Sequence, residues 1–256
     1  MVPVPAKRID GTLASHAVTL GKKGAVMALL LACACSGWAQ KLPDPRDPFE
    51  SLNRAVFTLN DAVDRVLIKP VATVYGKVTP YWARKGVGNF FGNLVDVWSV
   101  VNNAAALKGK ATSDSLGRVM VNSTVGILGL IDVASDLDIE KHPADFGLTL
   151  GRWGIRPGPY VVLPILGPFT LREIVALPVD YYGNLTNHID DKSTREVLTV
   201  VNAIDVREGY LKAGEVIDAA ALDAYSFTRD SYFQRQRYRE YDGDVPESPE
   251  IAPEAP

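Results

Sequence analysis

Outside its first 40 residues the chain carries two histidines, His142 and His188, and no cysteine; Cys33 and Cys35 both fall near the start. Nucleophilic or zinc chemistry needs these residue types in company, and the company is missing. There is no His-Glu-x-x-His, no Gly-x-Ser-x-Gly and no Cys–His pair in the body, so the common zinc-hydrolase and nucleophile-elbow routes lack their residues. The two histidines lie far apart in unrelated loop contexts and read as ordinary polar surface residues. Asp132, Asp136 and Asp138 have oxygen ligands for a hard cation, but their spacing lacks the glycine and distal glutamate of an EF-hand loop, and capping or loop solvation is the better reading. Gly126 to Asp132 is glycine-spaced without the Gly-Lys-Ser/Thr of a phosphate loop. The residues thus predict no enzyme, no cofactor and no metal.

The positions that do form a pattern are amides and carboxylates. Asn53, Phe57, Asn60 and Asp64 recur at i, i+4, i+7 and i+11, beside an apolar stripe of Phe49, Leu52, Val56, Leu59, Val63 and Val66. At helical pitch the six apolar residues occupy one arc of about 100°, so an amphipathic helix is predicted, with Asp47 as its N-cap and Pro48 in its first turn. Asn and Asp are poor helix-interior residues, and no local folding preference explains them there. The stripe is either a solvated face with one stray aromatic or a polar lining.

Further elements follow the same logic. Pro70 and Pro80 bracket a short helix or turn. From Tyr81 a second amphipathic helix sets Val87, Phe90, Phe91, Leu94, Val97, Trp98, Val101 and Ala105 on one face and Asn89, Asn93, Asp96 and Asn103 on the other. So wide an apolar face is core in a soluble protein and faces lipid in a membrane-associated one. Helical spacing resumes over 113–134, 192–202 and 208–221, and a last segment interleaves Tyr225, Phe227, Tyr232, Phe233, Tyr238 and Tyr241 with Arg229, Arg235, Arg237 and Arg239. Residues 151–168, rich in Gly and Pro, read as an irregular segment or small hairpin. The fold class is mainly α.

Charge and processing signals set the compartment. The chain holds 27 basic against 30 acidic residues, and four of the basic ones precede residue 40, so nucleic acid is not an expected partner. Lys22 and Lys23 precede an apolar run at 25–34 followed by small residues, the layout of an export signal over residues 1–39. Leu30-Leu31-Ala32-Cys33 resembles a bacterial lipobox and makes Cys33, or alternatively Cys35, the lipidation site; a cut after Ala39 would instead release a soluble periplasmic protein. Residues 40–241 form one domain, and residues 242–256, acidic and proline-interrupted, read as a disordered tail.

Taken in order, Asp47-Pro48-Phe49-Glu50-Ser51-Leu52-Asn53-Arg54-Ala55-Val56-Phe57, Asn60-Asp61, Lys69-Pro70-Val71-Ala72, Asn89-Phe90-Phe91-Gly92-Asn93-Leu94, Arg118 with Asn122, residues 126–134, Asp145-Phe146-Gly147-Leu148, Gly158-Pro159-Tyr160 and Leu166-Gly167-Pro168 resemble the VacJ/MlaA family of outer-membrane lipoproteins. The resemblance covers about residues 44 to 241. It implies a ring-like bundle of amphipathic helices in the inner leaflet of the outer membrane, lipid-anchored on the periplasmic face, around a polar channel. The implied function is removal of mislocalised phospholipids from the outer leaflet and their transfer to a periplasmic phospholipid carrier, with trimeric porins as partners. Asn53, Asn60, Asp61 and Asp64 are then candidates for channel lining or headgroup contact, and Gly126, Gly129, Gly158 and Gly167 for a gate or hinge. A porin-bracing lipoprotein without transport and an envelope phospholipase are the alternatives.

Overall fold

The chain divides into two units, Met1–Pro43 and Asp44–Pro256. The structure, a computed structural model, describes residues 44–243, all within the second unit. The export signal, Cys33, Cys35 and the tail beyond Gly243 lie outside the described residues.

The first long helical rod runs as α1 (Glu50–Val63), a π-helical segment (Asp64–Ile68) and α2 (Lys69–Val78). Pro70 does not interrupt it, although it lacks the N–H that would continue the ladder; it sits in the first turn of α2, directly after the π-helical segment. The π segment carries the chain across the junction, with Lys69 N–H bonding the Asp64 carbonyl five residues back. Asp47 is not the N-cap: the helix starts at Glu50 with Phe49 in the cap position. Asp47 is buried instead, accepting from Asn53 Nδ2 at 2.8 Å and from the Tyr225 hydroxyl at 2.6 Å, so tertiary partners outcompete the local cap.

After Pro80 follow α3 (Tyr81–Ala105), α4 (Gly109–Thr124), the single turn α5 (Val133–Asp136) and α6 (Phe146–Arg152). The Gly/Pro-rich stretch does form a hairpin, β1 (Tyr160–Leu163) antiparallel to β2 (Gly167–Thr170), in register Tyr160 to Thr170. Then come α7 (Leu171–Gly183), opened by a Thr170/Glu173 capping box, α8 (Lys192–Gly209), α9 (Leu211–Ala220) and α10 (Ala224–Glu240). None of the described helices is long and apolar enough to cross a membrane.

Contacts between elements close on themselves. α1 packs on β1, β1 pairs with β2, β2 adjoins α7, α7 packs on α6, α6 meets α3, α3 meets α8, and α8 packs on α2, which the π segment returns to α1. α4 lies along α3, and α10 joins α6. This closed circuit is the ring-like bundle.

Its polarity is reversed. Among the described residues, buried polar side chains outnumber buried apolar ones, and five of the latter are alanines. On α1 the apolar stripe is largely outside, with Leu52 63%, Leu59 54% and, just beyond, Val66 79% exposed, while Asn53 is buried. On α3 the polar face, Asn93, Asp96, Ser99, Asn102 and Asn103, is the buried one. Arg118 of α4 joins this interior: its guanidinium donates to Asp96 at 3.2 Å, to both Asp132 oxygens at 2.9 and 3.0 Å, and to the Ile139 carbonyl at 2.7 Å. Burial raises Asp132, but donors from Ser135, Asn122 and Arg118 outweigh it and hold the carboxyl at about 2. Asp132 also caps α5, accepting from Ser135 N–H.

Two outcomes follow. Arg118→Met strands Asp96 and Asp132 and destabilises the detergent-solubilised protein by about 3–5 kcal/mol in a denaturant titration. Because the folded state depresses Asp132 below its ordinary 3.8, its contribution is complete above pH 4 and is lost as pH falls towards 2. An acid-unfolding curve of Asp132→Asn is correspondingly flatter over that interval.

Candidate functional site

A half-enclosed hollow of about 320 Å³ lies between α3, residues 143–145, β2 and α7. One wall is apolar, from Leu94, Val95 and Trp98 on α3, Phe169 on β2 and Leu177 on α7. The other groups are Asp145, Glu173, Asp180, Asn184 and Arg239. A second hollow of about 410 Å³ shares Pro143, Ala144 and Arg239 with the first and is bordered by Lys108, Glu140, Lys141, His142, Tyr238 and Asp242. The two spaces therefore meet at Arg239, one amphipathic and the other mostly polar.

Local sequence explains how these walls are held. Gly183 ends α7 directly against Trp98; a Cβ there would fall 2.2 Å from the indole, so only glycine allows the ring to lie on the helix. The indole N–H then donates to Asp180 Oδ1 at 2.8 Å, and the Phe146 N–H donates to the same oxygen at 2.8 Å. Burial raises the Asp180 carboxyl above the ordinary range; the Trp98 and Phe146 bonds oppose this, and the neighbouring Asp145 and Glu173 charges add to it. Asp145 accepts from Arg239 at 2.8 Å and caps α6 through Leu148 N–H. Glu173 is spent on the Thr170 cap, the Tyr232 hydroxyl and Gln236. The hollow thus sets an apolar wall beside a group of carboxylates and one guanidinium.

The amides expected to line a passage are used otherwise. Asn53 donates to the Tyr160 carbonyl at 3.0 Å and accepts from Val162 N–H at 2.9 Å, and Asn60 donates to the Leu163 carbonyl at 3.0 Å and accepts from Ile165 N–H at 2.8 Å. They stitch the hairpin to α1, and a buried Asn53 offers nothing to a passing headgroup. Asp64 pairs twice with Arg207 of α8 at 2.7 Å, and the exposed Asp61 with Arg65 at 2.8 Å. Gly126 and Gly129 are not loose: a Cβ on Gly126 would meet the Ile131 carbonyl at 2.2 Å, and one on Gly129 would meet Asn93 at 2.6 Å. Close approach is what they supply. Gly158 and Gly167 are both at positive φ; Gly158 lies just before β1, and Gly167 opens β2 at the turn of the hairpin with open space around it. His142 is half-buried, 3.0 Å from Asp114 and 3.6 Å from Glu140, with Lys110 as the cation bound to both acids.

A sequence model described as the MlaA lipoprotein matches residues 45–239, nearly all of the described chain. This chain belongs to the MlaA lipoprotein family. It is 31% identical over 214 residues to the intermembrane phospholipid transport system lipoprotein MlaA of Escherichia coli, covering 82% of this chain and 84% of that one. It is 29% identical to the Haemophilus influenzae protein of the same name, over 91% and 96% of the two chains. An uncharacterized Rickettsia bellii protein is 31% identical over 73% of this chain and 74% of its own. A solved structure from work on the structural basis for maintenance of bacterial outer membrane lipid asymmetry matches with a TM-score of 0.67 and 31% identity, covering 76% of this chain and 98% of that one.

Sequence reasoning passed over Asp180, Asn184 and the role of Arg239. Asp180 did carry a signal, as the one charged residue in the apolar and aromatic stretch 174–183. Replacing Asn53 by Leu leaves the Tyr160 carbonyl and Val162 N–H without partners, at about 1–3 kcal/mol for each abandoned group. Faster hydrogen exchange at Val162 and Val161 than at amides of α4 is the expected readout; unchanged exchange across the hairpin contradicts the stitching role.

Proposed function

We propose that this protein maintains outer-membrane lipid asymmetry by removing mislocalised phospholipids from the outer leaflet and passing them to a periplasmic carrier. The observation that carries this reading is the reversed polarity around a closed circuit of helices. A headgroup crossing a hydrocarbon layer needs a polar route, since an unpaired polar group there costs several kcal/mol. Helices in lipid gain nothing by hiding leucine from one another, so small residues and hydrogen bonds hold them together. The exposed apolar residues of α1 and its neighbours, such as Leu59, Val66, Leu67 and Trp82, suit acyl chains as their surroundings. No chemical step is required, because a lipid leaving an unfavourable leaflet for a carrier moves downhill; the protein acts as a transport component and not as an enzyme.

Several finer points belong to the same proposal. Acylation at Cys33, or at Cys35, would anchor the protein to the outer membrane from its periplasmic face, the signal within residues 1–39 then ending just before the acylated cysteine, with residues 242–256 as a tail. Asp242, at the start of that tail, pairs with Lys108 at 2.8 Å. A trimeric porin would hold the ring at a fixed depth. The gate is proposed at the tip of the hairpin beside Gly167, where Ile165 and Leu166 are exposed; its opening would break the two Asn60 bonds to Leu163 and Ile165 and leave the strands held by Asn53, whereas the Gly126 and Gly129 loop is too tightly packed to swing. Asp61 and Asp64 remain the members of the α1 set with water-accessible carboxylates for headgroup contact.

The double variant Leu59→Asp, Val66→Asp places two charges on the apolar belt at roughly 2–3 kcal/mol each. In cells it is expected to leave the membrane fraction more than tenfold depleted of the protein and to raise outer-leaflet phospholipid to the level of a deletion strain. Full membrane retention with normal asymmetry sinks the lipid-facing reading. Loss of the porin with asymmetry preserved favours the porin-bracing alternative.

A further inference from the structure

We infer that the hollow beside α7 selects zwitterionic phospholipids, seating their ammonium group against Asp180 and their phosphate against Arg239. This rests on reading the protein as a phospholipid transporter and adds to it a preference among headgroups.

Charge bookkeeping around the hollow is lopsided. Three carboxylates, Asp145, Glu173 and Asp180, face it with one guanidinium, Arg239. Arg239 is matched to Asp145 at 2.8 Å, and the donors that Glu173 receives from Thr170, Tyr232 and Gln236 are neutral, so they hold that carboxylate without balancing its charge. Asp180 has no cationic partner among the described residues either. Both of its described bonds, from Trp98 and Phe146, end on Oδ1, and Oδ2 receives no donor among the described residues. Burial, and then the neighbouring Asp145 and Glu173 charges, make a third charge at Asp180 harder to hold. A cation arriving at Oδ2 relieves that repulsion, and a second anion intensifies it.

The cationic end of the hollow is also incompletely used. Both described bonds of Arg239, to Asp145 and to the Pro143 carbonyl, come from Nη2, leaving Nη1 and Nε with no acceptor among the described residues. A guanidinium with two spare donor nitrogens is suited to a phosphodiester. Asn184 adds an amide on the same wall, and Leu94, Val95, Phe169 and Leu177 supply apolar surface for the first methylenes of the acyl chains. A headgroup with phosphate and ammonium separated by two carbons satisfies both ends. A phosphoglycerol headgroup satisfies Arg239 alone and leaves the Asp180 side uncompensated.

The experiment uses the full mature protein, incubated with vesicles of equimolar phosphatidylethanolamine, phosphatidylcholine and phosphatidylglycerol, re-isolated, and analysed for bound lipid by mass spectrometry. Wild type is expected to take up the two zwitterionic lipids over phosphatidylglycerol by at least about fivefold, the scale of one partly solvated charge contact. Asp180→Asn keeps an oxygen for the Trp98 and Phe146 donors and is expected to bring that ratio close to one with total lipid unchanged; Asp180→Glu is expected to retain a preference. Should Asp180→Asn fail to fold, Asn184→Lys, on the exposed wall, places a cation in the same space and is expected to turn the preference towards phosphatidylglycerol. Equal uptake by wild type, or a preference unaltered in Asp180→Asn or in Asn184→Lys, overturns the headgroup assignment while leaving transport standing. Recovery of protein without any phospholipid overturns the transport reading and the selectivity with it.

Discussion

One guanidinium, that of Arg118, sits at the point where the protein departs from ordinary globular construction. It is 2% exposed and is surrounded by two carboxylates and a carbonyl rather than by apolar side chains. A buried pair of this kind is a poor source of stability in water, because desolvation offsets the attraction. Its value lies in direction: it fixes how α3, α4 and the turn at α5 are rotated about their axes. Once Asp96 faces Arg118, Asn93, Asn103 and Ser99 must follow it inward, and the valines between them must face out. The inward polar face of α3 and α4 follows from that choice.

The far side of the circuit is organised by a parallel device. Asp47 binds Asn53, Tyr225 and Arg229, joining the start of α1 to α10, while Arg54 reaches Asp223 at 2.7 Å and lies over the Tyr225 ring at 4.4 Å. Tyr160, from the hairpin, meets Tyr225, Tyr232 and Phe233 in the one aromatic cluster of the described core. Ionic contacts and edge-to-face rings thus do here what leucine packing does elsewhere. The hairpin becomes a fixture of α1 and α10, and its second strand delivers Phe169 and the Glu173 cap to the wall of the hollow.

The sequence was most legible where periodicity and punctuation coincide. The amphipathic helices, the hairpin and the apolar–polar division of α3 could all be read from spacing, and the ordered motifs pointed to the family. What spacing could not supply was which face looks inward, since periodicity fixes that two faces exist and is silent on the solvent outside. The amides of α1 illustrate the limit. Asn53 and Asn60 stood out as polar residues without a local reason, and the reason proved to be strand backbone more than a hundred residues away. Asp47 misled for the same cause: it has the chemistry of a cap, and Tyr225 and Asn53 claimed it. Asp180 escaped notice because one acid in an apolar stretch of helix acquires meaning only when Asp145 of another segment and Glu173, two turns earlier, are brought to the same hollow.

The π-helical turn at Asp64–Ile68 sets the phase of the first rod. One additional residue has been taken up there without breaking the backbone, so α2 begins about a quarter-turn or more out of step with α1. Asp64 can thereby clasp Arg207 while Tyr75, further along, bonds Asp205 on the same partner helix. Shortening this segment by a single amino acid would restore a regular spiral and swing the remainder of the rod around its long axis, carrying Val74 and Val78 away from their present outlook and parting Tyr75 from α8. An insertion of that size is tolerated in most surface loops; here the chain's angular bookkeeping makes even one residue a determinant of which side meets oil and which meets water.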